Sequence, residues 1–278
     1  MHTPRSTGWS GVPKRLAVGA LLAGLACSKP APQPITWEPD RRVAGAAAPG
    51  ATMVLLDGGI PAMQQAWTPV RWPDDIRACK ATYVGARGRG DTVYAAWRTG
   101  GDSLTTTVQV ARSVNAGIAW SDAMLVGGAA PSYSGCVLPP PGLAVDSVSG
   151  TVHIVFYSPV VSARGVVYST APRNGGRFAT PVLIVQGARP VQAAVAANSD
   201  TVAVVFESPT MPEGAMRLAL FLGASHIPAI RLALSDTEIR AFAPAVAVRQ
   251  GRIGAAWNEA RHGTDGPAAV ARVGRWTR

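Results

Sequence analysis

The segment Asp91–Trp120, DTVYAAWRTGGDSLTTTVQVARSVNAGIAW, decides the fold of this chain. It contains two runs rich in apolar and β-branched residues, separated by a turn of glycine and aspartate, and a second tight turn near its end. The first run, VYAAW, is apolar at every position, which is typical of a strand that packs against neighbours on both faces. The segment therefore predicts a strand, a turn, a second strand and a closing hairpin.

Reduced versions of this pattern recur along the chain. Each has a strand, a short turn with glycine or aspartate, and a second strand that ends in an aromatic residue. The period is about fifty residues, which in a strand-rich sequence is typical of a β-propeller with one four-stranded blade per repeat. The aromatic residues that close the second strands are Trp97, Phe156, Phe206 and Trp257.

The strand pattern predicts an all-β fold, a β-propeller in which four blades of four strands are countable. The last repeat ends at Arg278 before its fourth strand, and Met53–Leu56 is predicted to take that place. An N-terminal strand that closes the ring removes an exposed sheet edge. A further, degenerate blade or completion of the ring by oligomerisation remains open.

The composition agrees with a globular β protein. The chain has 278 residues, of which 47% are hydrophobic and 15% charged, and it contains 30 glycines and 23 prolines. Such a chain has enough apolar residues for a sizeable core, and its glycines and prolines favour short strands and turns. The formal charge is +10, but the basic residues are scattered singly and no basic run is interleaved with aromatics. Nucleic-acid binding is therefore not predicted, whereas an acidic glycan or anionic surface remains open.

The N-terminus is predicted to be an export signal, residues 1–26. Basic residues precede Leu16–Ala26, an apolar run too short to span a bilayer. Cys27 follows this run and resembles the lipidated cysteine of the bacterial lipobox, although Gly24 stands where leucine is usual. Cleavage after Ala26 with simple secretion is the alternative. Ser28 after the cysteine suits an outer-membrane address for a lipoprotein.

The rest of the chain is divided into a tether and a domain. Residues 27–50 are rich in proline and alanine and are predicted to be an extended tether, and residues 51–278 form the propeller domain. With Cys27 used for lipid, Cys79 and Cys136 are left as an even pair. Both precede the first strand of consecutive blades, so a disulfide between them is predicted, with two free thiols as the alternative.

A family resemblance enters at Ser113-x-Asn115-x-Gly117-x-x-Trp120. This stretch resembles the Asp-box of the sialidase-like BNR-repeat propellers, with asparagine in place of aspartate. The resemblance implies a structural hairpin between the third and fourth strands of a blade. It also implies that this hairpin lies on the face opposite any active site.

The same resemblance implies a catalytic set to look for. Sialidases of this fold use an arginine triad, an Asp acid/base and a Tyr nucleophile activated by Glu. Arg77 and Arg261 match two arginines, Asp102 matches the acid/base, and Glu259 lies beside Arg261. No tyrosine follows Tyr168, and the third arginine has no match, so the catalytic set is incomplete.

The sequence favours a binding role over catalysis. The predicted protein is an exported, membrane-tethered, non-catalytic module whose loops contact a glycan or an envelope protein. No cofactor is expected, and no histidine has a partner at metal-ligand spacing. Exo-acting hydrolysis of terminal acidic sugars and a structural role in envelope assembly are the alternatives. The residues predicted to bind are Arg77, Arg98, Tyr133 and Arg261.

Overall fold

The computed structural model describes residues 35–39, 41–43, 69, 71–100, 105–131, 136–174, 176–210, 214–223, 227–236, 239–260 and 268–276. The strands belong to one compact unit, Pro34–Arg278. No helix in these ranges is both long and apolar enough to cross a membrane. In chain order the strands are β1 Ile35–Trp37, β2 Arg41–Val43, β3 Val84–Arg87, β4 Val93–Thr99, β5 Thr105–Ser113, β6 Met124–Pro131, β7 Gly142–Val145, β8 Val152–Ser158, β9 Gly165–Ala171, β10 Val182–Gln186, β11 Ala193–Asn198, β12 Thr201–Glu207, β13 Met216–Leu222, β14 Ile230–Ala233, β15 Arg240–Arg249, β16 Arg252–Ala260 and β17 Ala268–Trp276.

These strands form four antiparallel sheets, three of which are simple meanders. Blade 1 is β3-β4-β5-β6, blade 2 is β7-β8-β9-β10, and blade 3 is β11-β12-β13-β14. Blade 4 is β15-β16-β17 with β1 on its outer edge, where β2 also pairs with β17. The predicted all-β propeller of four-stranded blades is therefore confirmed, and its blades follow the fifty-residue repeat.

Consecutive blades meet along their first strands. Strand β3 packs on β7, β7 on β11, and β11 on β15. Blades 2 and 3 approach so closely that a Cβ on Gly142 would lie 2.7 Å from the Ala193 carbonyl oxygen. Glycine is therefore required at this position, because any side chain would push the two blades apart.

The core lies between the blades rather than inside one sheet. Strands β4, β8 and β12 are buried at every position, as expected for sheets covered on both faces. The four aromatic residues that close the second strands are all buried. Burying one such side chain contributes about 1.5–3 kcal/mol, so these positions anchor the repeat.

The closing strand comes from a part of the chain where a tether was predicted. Ile35 pairs with Trp276 and Trp37 with Gly274, and β2 continues along the other half of β17. A Cβ on Gly274 would lie 2.6 Å from the Ile35 side chain, so glycine admits this strand. The tether prediction for 27–50 is therefore wrong at residues 35–37 and 41–43. The reason is that β17 would otherwise present an unpaired edge, and Ile35 finds a buried place there. The segment Met53–Leu56 lies outside the described residues.

The Asp-box-like hairpin joins β5 to β6, as predicted. The Ser113 hydroxyl accepts the amide of Gly117 at 2.9 Å and donates to Asn115 Oδ1 at 2.8 Å. Asn115 Oδ1 in turn accepts the amide of Ala119 at 2.9 Å. Gly117 has a φ of +88°, which glycine adopts without strain. Asparagine therefore serves in the place of aspartate here, because only its carbonyl oxygen is used.

The connections between strands alternate between the two ends of each blade. The Ser113–Trp120 hairpin and the β3–β4 turn lie at one end, which we call the Asp-box face. Cys79, before β3, and Cys136, between β6 and β7, lie at the other end, which we call the disulfide face. The two cysteines are bonded, with a Cα–Cα distance of 5.3 Å, so the predicted disulfide is present and links blades 1 and 2.

Candidate functional site

A pocket of about 390 Å³ opens where the first strands of blades 1, 2 and 3 begin. Its floor is made by small and apolar residues of β3, β7 and β11, among them Gly85, Gly142 and Ala194. Trp72 and Tyr83 form one wall. Because first strands begin at the disulfide face, the pocket lies at that face, where loops rather than blades supply variable side chains.

The wall is a stack of three aromatic rings. The Trp72 and Tyr83 ring centroids are 5.0 Å apart with 29° between their planes, and Tyr83 and Trp97 are 5.4 Å apart. The Tyr83 hydroxyl donates to the Pro73 carbonyl at 2.8 Å. Sequence reasoning missed Trp72, which lies before the first repeat, and Tyr83, which lies at the start of that repeat with no motif around it. The signal present was the Trp72-Pro73 pair just before the first blade.

The polar edge of this wall is Asp75. Its carboxylate accepts the indole N–H of Trp97 at 2.9 Å and the backbone amide of Arg77 at 2.9 Å. Burial, reinforced by the negative charges of Asp75 and Asp74, raises the pKa of Tyr83 to about 12. Tyr83 is therefore neutral at physiological pH, which suits a stacking surface and not a nucleophile.

Arg77 reaches the surface beside this pocket. Its side chain is 64% exposed, and its Nε lies 3.7 Å from Asp75 Oδ1. An exposed pair at this distance contributes little to stability, so the guanidinium is available to a ligand. The exposed position of Arg77 is compatible with a binding role, and that role stays a prediction.

Arg98 does not have the place predicted for it. It is 2% exposed, and its guanidinium donates to the carbonyl oxygens of Pro139 at 2.6 Å and Tyr157 at 2.8 Å. It also lies 5.8 Å above the Phe156 ring. Burial lowers the pKa of Arg98 to about 10. Arg98 therefore links blades 1 and 2 from inside, because the strand that carries it is covered on both faces.

The predicted catalytic residues are not brought together in the described part of the chain. Glu259 is buried in β16 and its Oε1 accepts the indole N–H of Trp257 at 3.0 Å, which is a structural contact. Asp102, Tyr133 and Arg261 lie outside the described residues. Convergence of Arg77, Asp102 and Arg261 on one pocket stays a prediction.

A buried acidic residue that sequence reasoning missed lies at the disulfide face of blade 3. Glu207 follows the closing aromatic of β12, and its Oε2 lies 3.7 Å from Arg189 Nη1. Burial raises the pKa of Glu207, while Arg189 acts in the opposite direction. Arg189 also donates to the Ser208 carbonyl at 2.8 Å. These contacts hold the β10–β11 loop on blade 3 and do not line the pocket.

A buried histidine lies between blades 2 and 3. His153 Nδ1 is 2.7 Å from the Tyr168 hydroxyl. Burial lowers the pKa of His153 to about 4, against a raising effect of Asp146. No cluster of residues in the described ranges has the composition of a metal site.

His153 makes stability depend on pH. The unfolded state takes up its proton near pH 6.5 and the folded state only near pH 4, so stability falls as pH drops through this window. The difference corresponds to about 3 kcal/mol. We expect denaturant unfolding midpoints to decrease from pH 7 to 4. His153→Phe should remove most of this slope, although the Tyr168 hydroxyl then loses its partner. An unchanged slope in that variant would show that another group is responsible.

No protein-family model matches the sequence, and no curated protein is similar to it. Several solved structures are similar to this chain at low identity. A protein of unknown function from Dyadobacter fermentans is 12% identical, with 67% of this chain covering 50% of that chain at a TM-score of 0.51. A neuraminidase-like protein of A/flat-faced bat/Peru is 13% identical, with 75% covering 56% at 0.44. A xylan β-1,4-xylosidase from Bacillus halodurans is 11% identical, with 76% covering 44% at 0.39.

These similarities concern the fold. The chain spans about half the length of the Dyadobacter protein. At such identities the site residues of the other proteins cannot be transferred, because one fold carries many unrelated sites. The function must be argued from the pocket itself.

Proposed function

We propose that the protein binds a glycan at the pocket on the disulfide face and performs no chemistry there. The observation that carries the proposal is the partly exposed Trp72 ring, stacked on Tyr83 beside the apolar first strands. Ligand pockets combine apolar and aromatic walls with a few polar groups that fix orientation. Pyranose rings have apolar C–H faces that fit an aromatic plane, and Arg77 and Asp75 supply polar contacts at the edge.

The chemistry of the wall argues for binding rather than hydrolysis. Asp75 is held by Trp97 and by the Arg77 amide, and Tyr83 is held neutral with its hydroxyl bonded to backbone. Glycoside hydrolysis needs a pair of groups that exchange protons or attack the anomeric carbon. Among the described residues that line the pocket there is no carboxylic acid, and Tyr83 carries the one hydroxyl.

We also propose that the domain acts outside the cytoplasm, tethered by lipid on Cys27. The Cys79–Cys136 bond supports an oxidising compartment, where such bonds persist. Cell fractionation of the wild type and of Cys27→Ser tests the tether. The wild type is expected in the membrane fraction and the variant in the soluble fraction. Retention of the variant in the membrane would overturn lipidation at this cysteine.

Binding is tested with the full chain on an array of neutral and acidic oligosaccharides, followed by titration of the best ligand. Trp72→Ala is expected to weaken binding about tenfold, which corresponds to about 1.4 kcal/mol. The matched control is Ile76→Ala, which removes an exposed apolar side chain from the same loop. An array without signal for a folded sample, or equal losses in both variants, would contradict the proposal.

A further inference from the structure

A second cleft lies on the Asp-box face, remote from the glycan pocket. It has a volume of about 50 Å³ and lies between the turns of blades 1 and 2. Three arginines line it: Arg89 in the β3–β4 turn, Arg112 on β5, and Arg173 after β9. They come from three separate elements, so the fold and not a sequence run places them together.

The three guanidinium groups form no ion pair with an acidic side chain of the described residues. Among the described residues, none of them has a carboxylate oxygen within 4.0 Å, whereas other arginines do form such pairs. Asp146, next to the cleft residue Val145, is already occupied. Its oxygens accept the amide and hydroxyl of Ser149 and the amides of Val148 and Ser199. In the described part of the chain, no carboxylate therefore forms an ion pair with the arginines of the cleft.

Arg112 is the inner member of the set. Its Nε is buried and has no hydrogen-bond partner in the described part of the chain. Its Nη1 lies 3.5 Å from the Asn174 carbonyl oxygen, and its guanidinium also interacts with the Tyr94 hydroxyl. A buried donor without a partner costs free energy unless a ligand or water satisfies it.

Arg173 is held over the cleft by its backbone and its stem. The Tyr94 hydroxyl, which also lines the cleft, donates to the Arg173 carbonyl at 2.7 Å. The Arg173 stem lies over Gly150, where an added Cβ would approach its Cγ and Cδ to 2.6 Å. Gly150 also has a φ of +76°, which glycine adopts without strain. Both the close contact and the backbone conformation therefore require glycine at this position. The backbone and the aliphatic stem of Arg173 are therefore held in place at the cleft.

We propose that this cleft binds the oxyanion of a phosphate or sulfate group. Guanidinium groups bind such anions through charge-assisted hydrogen bonds. Three arginines from three directions match the three free oxygens of a phosphate or sulfate ester better than the two oxygens of a carboxylate. The volume admits one small group and not a sugar ring. The inference is independent of the proposed glycan binding, which uses the opposite face.

In the test, the full chain is titrated with inorganic phosphate, sulfate and acetate at constant ionic strength. Binding is measured by calorimetry or NMR. The cleft variant, which we call the pocket variant, is Arg89→Gln/Arg173→Gln. Both side chains are exposed, so the change should not disturb folding. The matched control is Arg87→Gln/Arg177→Gln, which removes the same charge from exposed neighbours. We expect the pocket variant to lose at least tenfold in phosphate affinity, and the control to stay within twofold.

Three outcomes would overturn the site. They are the absence of saturable phosphate binding up to about 20 mM, equal losses in both double variants, and acetate bound as tightly as phosphate. A parallel titration with glucose 6-phosphate separates the two sources of this chemistry. Tighter binding of glucose 6-phosphate assigns the cleft to an ester, and tighter binding of inorganic phosphate assigns it to the free ion. Both of these results support the oxyanion site.

Discussion

The variant Cys79→Ser/Cys136→Ser is expected to unfold about 10 °C below the wild type. The bond closes a loop with a sequence separation of 57. Loop-closure entropy for a loop of this size corresponds to about 4 kcal/mol. In a domain of this length one kcal/mol shifts the unfolding temperature by about 2–4 °C. The effect is large because the bond restricts the unfolded chain over a long loop.

Thermal unfolding followed by circular dichroism measures this difference. Cys27→Ser is the control, since it removes a cysteine outside the bond and leaves the bond intact, and its unfolding temperature should equal that of the wild type. A reducing agent should lower the unfolding temperature of the wild type and leave the double variant unchanged. A double variant within about 2 °C of the wild type would show that the bond stabilises little.

Arg98→Met is expected to destabilise the protein by about 3 kcal/mol without changing glycan binding. Methionine keeps the apolar stem over Phe156 but removes both donors to the Pro139 and Tyr157 carbonyls. Hydrogen bonds from a charged group contribute about 1.5–3 kcal/mol each, and part of this is offset because a buried cation no longer has to be desolvated. Arg98→Lys should not restore stability, since one ammonium group does not reproduce the planar guanidinium fork.

Urea unfolding and a glycan titration of folded protein separate the two roles. Arg77→Met is the matched control, because its side chain is mostly exposed, and it should unfold at the wild-type urea concentration. If Arg98→Met were as stable as the wild type but failed to bind, Arg98 would be a ligand residue. The structure would then misplace its guanidinium, and the interblade role would be wrong.

Much of the fold was predictable because its signals are local. Apolar runs, turn residues and the Ser113–Trp120 hairpin each extend over about ten residues. They therefore indicate strands and turns without any information on what packs against them. The disulfide was predictable for a related reason. Alternation of connections between two ends of a blade places Cys79 and Cys136 at the same end.

The candidate site was less predictable because its members come together only in space. Trp72 precedes the first repeat, and Tyr83 lies at the start of that repeat with no motif around it. Arg98 reads as a loop arginine after a strand, yet its acceptors lie 41 and 59 residues away in sequence. The local sequence pattern does not show whether a residue at the end of a strand is covered by a neighbouring blade. The predicted binding role of Arg98 failed for that reason.

By itself the sequence determined the all-β class, the fifty-residue blade repeat, the structural hairpin at Ser113–Trp120 and the cysteine pair. These follow from alternation, turn chemistry and spacing, which depend on short stretches of chain. Only the tertiary structure decided that Ile35–Trp37 supplies the outer strand of blade 4. Only it placed Trp72 on Tyr83 and gathered three arginines in one cleft. The physical reason is that packing between blades selects partners by shape and burial, and such partners are far apart in the chain.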